Sequence, residues 1–230
     1  MRRVMLLLAV VGCCWALLAS PALAQRLGGR SLSLPSLVGY DAVLRELAVD
    51  EETAGRLRGL AEEYRTVVQR EMTALNIDYA AISDLPALER AAEMRKVNAQ
   101  TAEVHRRLTE QFLPRLMVLL TPAQMERLKQ IYLQAAGLDA WTEPPLAATL
   151  ELTPAQQQQL AALRDDYLRR QQSLQGDFLQ RFARIRQLNS ERDAEALKLL
   201  TPQQREKLQT LQGAPFDVSQ LTFGRGRRGN

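Results

Sequence analysis

The chain has 230 residues, 46% of them hydrophobic, and carries 30 Lys and Arg against 26 Asp and Glu, one histidine and two cysteines. Both cysteines, Cys13 and Cys14, fall in an N-terminal export leader, so the exported chain has no thiol or disulfide chemistry. It is nevertheless long enough to bury a core without covalent staples.

The leader comes first along the chain. Arg2 and Arg3 precede an apolar run from Val4 to Leu18, and Ala22-Leu23-Ala24 places small residues at −3 and −1 before Gln25. This order predicts a secretory signal peptide over residues 1–24, cut after Ala24, and hence a periplasmic or secreted protein. The run is too short for a comfortable membrane span. A second reading takes Val10-Val11-Gly12-Cys13 as a lipobox that would leave a lipid on Cys13. It ranks behind because the apolar stretch continues to a good Ala-x-Ala site.

Losing Arg2 and Arg3 leaves 28 basic and 26 acidic side chains, so the pI near 9.3 overstates the basicity of the exported form. Residues 36–148 hold 13 basic and 17 acidic groups, and residues 150–212 hold 10 and 8. An exported chain with an acidic half is a poor nucleic-acid partner. Residues 25–35 read as a flexible segment. Residues 213–230, with Arg225, Arg227 and Arg228, read as an irregular basic tail whose Phe216 and Phe223 tuck back.

Between these ends the chain reads as all-α, in two tandem helical-hairpin units of long amphipathic helices. Three segments nearly repeat: Leu120-Thr121-Pro122-Ala123-Gln124, Leu152-Thr153-Pro154-Ala155-Gln156 and Leu200-Thr201-Pro202-Gln203-Gln204. Each spells a helix start. Thr is the N-cap, Pro fits the first helical position, and Gln three residues on completes a capping box. Asp50, followed by Glu51 and Glu52, is a weaker fourth cap whose acids suit the helix dipole.

After Asp50 the apolar residues step by three and four through Leu57, Leu60, Tyr64, Val67, Val68, Leu75, Tyr79 and Ile82. After Thr153 they step through Leu160, Leu163, Tyr167, Leu174, Phe178, Phe182, Ile185 and Leu188. These are helical stripes, and no stretch alternates with period two. The first unit, 36–137, is predicted as a short helix near residue 40, long helices at 51–82 and 86–120, and a helix at 122–136. Pro114 should kink or restart the second long helix, and Gly137 is a natural stop. Residues 138–148, with Pro144-Pro145, read as a linker. The second unit, 149–212, is predicted as helices at 154–188, 191–200 and 202–212, broken at Asn189-Ser190. The caps are 71 residues apart in the first unit and 48 in the second, so the first hairpin should reach further.

The repeated Leu-Thr-x-x-Gln elements on an exported helical chain resemble the Spy/CpxP-like LTxxQ proteins of bacterial envelopes. The elements that carry the resemblance are Leu120, Thr121 and Gln124; Leu152, Thr153 and Gln156; and Leu200, Thr201 and Gln204. The resemblance implies bent helical hairpins that usually dimerise. It also implies ATP-independent chaperones, inhibitors of envelope stress sensors, or metal-responsive periplasmic proteins. This chain departs from that pattern in having two hairpin units, which suggests an internal pseudo-dimer. In that duplicated form it resembles secreted proteins of planctomycete-like bacteria.

Sites for chemistry are scarce. His105, the only histidine, lies on an apolar stripe between Asn98 and Phe112. Asn98, Thr101 and His105 could make a polar notch or part of a pH switch, but a hydrogen-bonded buried histidine is the favoured reading. With no exported cysteine, no histidine pair and no calcium loop, no metal site and no cofactor are expected. The acidic pairs Glu62-Glu63 and Asp165-Asp166 read as solvated helix faces. Every prominent Thr is used as a cap, so no nucleophile–base pair and no enzyme are expected.

A surface for other proteins, unfolded or envelope clients, is expected along Tyr64, Tyr79, Tyr167, Phe178 and Phe182, edged by Arg65, Arg70, Arg170, Arg181 and Arg184. The alternative is that these residues close the helices on each other. The function that follows is chaperone-like or envelope-stress-associated protein binding. Structural scaffolding and metal response are the other two readings.

Overall fold

The computed structural model describes residues 32–175 and 177–221. The leader, its cleavage site, Cys13 and Phe223 lie outside the described residues. Among those described, eleven α-helices and no strand are found, so the protein is all-α. No described helix is long and apolar enough to cross a membrane. The chain divides into two compact units, one reaching to Tyr132 and resuming at Phe216, the other Leu133–Pro215.

The N-terminal unit opens with α1 (Leu34–Leu37) and α2 (Asp41–Glu46). Leu32, Leu34, Leu37 and Val38 are buried, so the chain is ordered core from residue 32, earlier than the flexible segment expected up to residue 35. Ser33 and Ser36 form a reciprocal capping box around α1, a helix start built on serine with no Thr-x-x-Gln signature. At Gly39 a Cβ would stand 3.1 Å from the Ala61 Cβ, so this turn passes against the next helix at a distance that favours glycine.

That helix, α3 (Glu51–Ala74), is capped by Asp50, whose Oδ1 accepts the Thr53 amide N–H at 2.7 Å. Its buried face is Ala54, Leu57, Leu60, Ala61 and Tyr64. The helix ends earlier than the stripe predicted, because Asn76 takes a left-handed φ of 47° and Asp78 then caps α4 (Tyr79–Asp84). α5 (Ala87–Leu119) returns along α3. Pro114 lies inside α5 without ending it. Its missing N–H costs one i→i−4 bond, and the neighbouring Phe112, Leu113 and Leu116 are all buried. α6 (Pro122–Ala136) follows, with its last turn assigned to the second unit. Residues 218–221 form a short 3-10 turn whose Leu221 is buried, so the tail is ordered that far.

The C-terminal unit differs more from expectation. Residues 138–148, expected as a linker, form α7 (Leu138–Trp141) and most of α8 (Pro144–Thr149). Leu138, Ala140, Trp141, Leu146 and Ala147 are all buried. The glycine and proline signals mark short elements here, not solvent exposure. α9 (Pro154–Gln172) and α10 (Phe178–Leu199) form the hairpin, and α11 (Pro202–Gln212) closes it. The break thus falls at 173–177, before the Asp177 cap, and α10 runs unbroken through Asn189 and Ser190. Asn189 instead accepts a hydrogen bond from Gln171 of α9 at 2.7 Å. A polar pair there is a cross-helix contact, not a helix end.

Candidate functional site

The Leu-Thr-x-x-Gln elements form the most regular polar construction in the protein. At each, the Thr hydroxyl accepts the Gln backbone N–H, at 3.3, 3.2 and 3.2 Å for residues 121, 153 and 201. The Gln side-chain oxygen accepts the Thr backbone N–H in return, at 2.9, 3.0 and 2.9 Å. The preceding Leu120, Leu152 and Leu200 are buried.

The glutamine amides do something the capping pattern alone does not require. Gln124 Nε2 donates to the Leu47 carbonyl at 3.0 Å. Gln156 Nε2 donates to the Leu199 carbonyl at 3.0 Å, and Gln204 Nε2 to the Glu151 carbonyl at 3.2 Å. Gln156 and Gln204 also exchange amide hydrogen bonds at 2.8 and 3.1 Å. Each of these two amides therefore has both donors and both acceptor sites occupied. Each glutamine ties its own helix start to the chain entering another helix, bridging 77, 43 and 53 residues. The motif is a fastener as well as a cap. Ala48 and Glu151, both two residues before a cap, hold left-handed φ values of 48° and 55° at these junctions.

Thr153→Ala should therefore lower the stability of the C-terminal unit by about 1 kcal/mol through the lost cap. Gln156→Ala should cost more, because it also leaves the Leu199 carbonyl and the Gln204 amide without this partner. Urea denaturation followed by Trp141 fluorescence ranks the two.

The expected strip of aromatic and arginine residues is divided between the two units, and its tyrosines differ in exposure. Tyr64 is buried, its hydroxyl 3.2 Å from Thr109 Oγ1 and its ring edge-on to Phe112 at 5.3 Å. Burial pushes the Tyr64 phenol above its ordinary range. Tyr167 is buried too, with the Arg170 guanidinium 4.7 Å over its ring and bonded to Asp166 at 2.8 Å. Both tyrosines close helices on each other. Phe178 and Phe182 lie on α10 with their side chains outside the described residues. Arg65 pairs with Glu62, Arg70 with Glu71 at 3.4 Å, and Arg184 bonds Gln187 at 2.7 Å. Arg181 is exposed. These arginines are solvent-exposed. The acidic pairs sit on solvated faces: Glu63 holds Arg115 through two bonds of 2.7 and 2.6 Å.

Exposed apolar surface is concentrated elsewhere. Tyr79 is 58% exposed and Leu88 81% exposed. Around them Leu75, Ile77, Ile82 and Leu85 are only half-buried. From Arg65 to Lys96, the far half of α3, all of α4 and the start of α5, no residue is buried. The stripe continues into this region while its covering does not. Leu88, two residues after Pro86, lies off the stripe that the three-and-four spacing marks.

His105 is buried at 6% exposure and its Nδ1 has no hydrogen-bond partner. The expected hydrogen-bonded histidine is thus buried but unsatisfied at one nitrogen. No polar notch forms, because Thr101 Oγ1 bonds the Val97 and Asn98 carbonyls of its own helix at 3.0 Å each. Among the described residues no three His, Cys, Asp or Glu come together as a metal site.

The C-terminal unit holds a second buried polar group that periodicity did not reveal. Arg192, 2% exposed, bonds Asp193 Oδ1 at 2.9 and 3.1 Å and approaches both Asp139 oxygens at 3.4 and 3.5 Å. Asp193 Oδ1 also accepts the Leu138 amide N–H at 3.3 Å. This is a structural tie between α7 and α10. Comparison with protein-family models, with curated proteins and with solved structures finds no match to this chain.

Proposed function

We propose that this is an exported, ATP-independent protein-binding protein of chaperone-like or envelope-stress-associated type. The observation that carries the reading is the apolar end of the α3–α5 hairpin, where Leu75, Ile77, Ile82 and Leu85 are only half-buried and Tyr79 and Leu88 are exposed. Incompletely covered apolar side chains edged by charge suit the capture of another protein's apolar segment. An N-terminal segment that reads as a secretory leader supports a role outside the cytoplasm, and the repeated Leu-Thr-x-x-Gln fasteners agree with the envelope family the sequence resembles.

Residues 25–230, added near stoichiometric amounts, should suppress light scattering by an aggregating client. Tyr79→Ser with Leu88→Asp should remove most of that suppression without altering the helical circular dichroism. Unchanged suppression in the double variant would shift the binding surface elsewhere. No suppression at any ratio would favour the scaffold reading, which the closed packing of Tyr64 and Tyr167 supports.

A further inference from the structure

We propose that His105 is an acid-sensitive latch: charging it opens the α3–α5 hairpin beyond Tyr64 while the end anchored on α1 stays folded. The inference does not rest on protein capture.

The first observation is the unsatisfied imidazole. A buried ring with one nitrogen unpartnered is tolerated while neutral, but protonation would bury a cation with an unpartnered N–H. The second is position. On α3 the buried residues stop at Tyr64, and on α5 they begin at Val97. His105 stands on the α5 side where the well-buried zipper of Leu108, Phe112 and Leu116 gives way to a half-covered one. The distal half therefore has little apolar burial to resist opening, and such segments open separately from the core.

The surrounding charges offer a protonated ring no compensation. On α3, Glu71 is engaged by Arg107 at 2.6 Å and Glu63 by Arg115. Glu62 is engaged by Arg65. On α5 itself, Glu103 and Glu110 are both held by Arg106. α4 contributes Asp84 and its cap Asp78, both exposed, and α1 carries no charge. Also on α5, Glu93 bonds Lys96 at 2.5 Å, so each of these bonded carboxylates already has a cation.

Burial depresses the His105 pKa from 6.5 to about 4 in the closed hairpin. A group whose closed-state pKa is depressed adds stability above pH 6.5, and this is lost as the pH falls toward 4. The opening constant then rises about thirtyfold between pH 7.5 and pH 5. That rise lies between the two His105 pKa values, and the half it acts on has little burial to oppose it.

Hydrogen exchange on the protein, corrected for the intrinsic pH dependence of amide exchange, tests this. Amides of 65–104 are compared with those of 113–131 at pH 7.5 and pH 5. Opening of the first segment should rise by tenfold or more relative to the second. In His105→Leu the ratio should no longer change with pH, and His105→Gln serves if the leucine variant does not fold. The single histidine also gives one ring signal by NMR, whose titration should coincide with the opening. Parallel acceleration of both segments would overturn the latch. So would a ratio independent of pH in the wild type, or an equal pH response in the variants.

Discussion

Arg192→Ala is expected to cost the C-terminal unit about 3–5 kcal/mol, the largest single effect of any polar substitution in the protein. Arg192 is 2% exposed and its partner Asp139 is 3% exposed, so removing the guanidinium leaves a carboxylate buried without its counter-charge. Asp193 would also lose both of its arginine bonds. Arg192→Met keeps the aliphatic volume and should be no milder unless Asp139 is changed with it. The double variant Arg192→Met, Asp139→Leu removes both charges of that pair and should recover much of the loss, because a buried ion pair is often no better than a well-packed apolar one. Trp141 is the only tryptophan after residue 24 and is buried beside Asp139 in α7. Its fluorescence during urea unfolding therefore reads this unit directly. A cost below 1 kcal/mol for Arg192→Ala would show that water reaches the cluster.

The N-terminal unit depends on Phe112 in a comparable way. Phe112 is 2% exposed, meets the Tyr64 ring edge-on, and carries the Arg115 guanidinium 5.0 Å above its face. Phe112→Ala should cost about 3–5 kcal/mol from lost burial and the cavity left behind. Tyr64→Phe keeps the ring contact and removes the hydroxyl's bonds to Thr109 and Ser33, at about 1 kcal/mol. Thermal unfolding followed by circular dichroism ranks the two. A cycle pairing Phe112→Leu with Tyr64→Leu should show a coupling of about 0.5–1.5 kcal/mol from the aromatic geometry.

The sequence announces the helices because their ends carry chemistry. Thr121, Thr153 and Thr201 are caps in the structure as their spacing with Gln implies, and Asp50 caps α3. Burial at Leu57, Leu60, Tyr64 and Tyr167 follows the three-and-four spacing. What periodicity cannot carry is contact between distant segments. The reach of Gln124 to the Leu47 carbonyl depends on how the chain folds back, as does the pairing of Gln156 with Gln204.

The misread breaks have a common cause. Asn189 and Ser190 are polar and turn-prone in isolation, yet tertiary contact with Gln171 keeps α10 continuous there. Gly137 does end α6 and Pro144 does start a helix, but the segment beyond Gly137 forms short helices with buried side chains, not a linker. The candidate surface was legible only in part. Aromatic residues at helical spacing mark a stripe, but which part of it is covered depends on neighbours supplied by other helices. Tyr64 has such neighbours and Tyr79 does not.

The most direct test of the protein-binding account is site-specific photo-crosslinking to an unfolding client from position 88, with position 206 on the exposed face of α11 as control. The account predicts client adducts from position 88 that disappear once the client has folded, and few from position 206. Equal yields from both positions, or none from position 88 under conditions in which aggregation is suppressed, would contradict it.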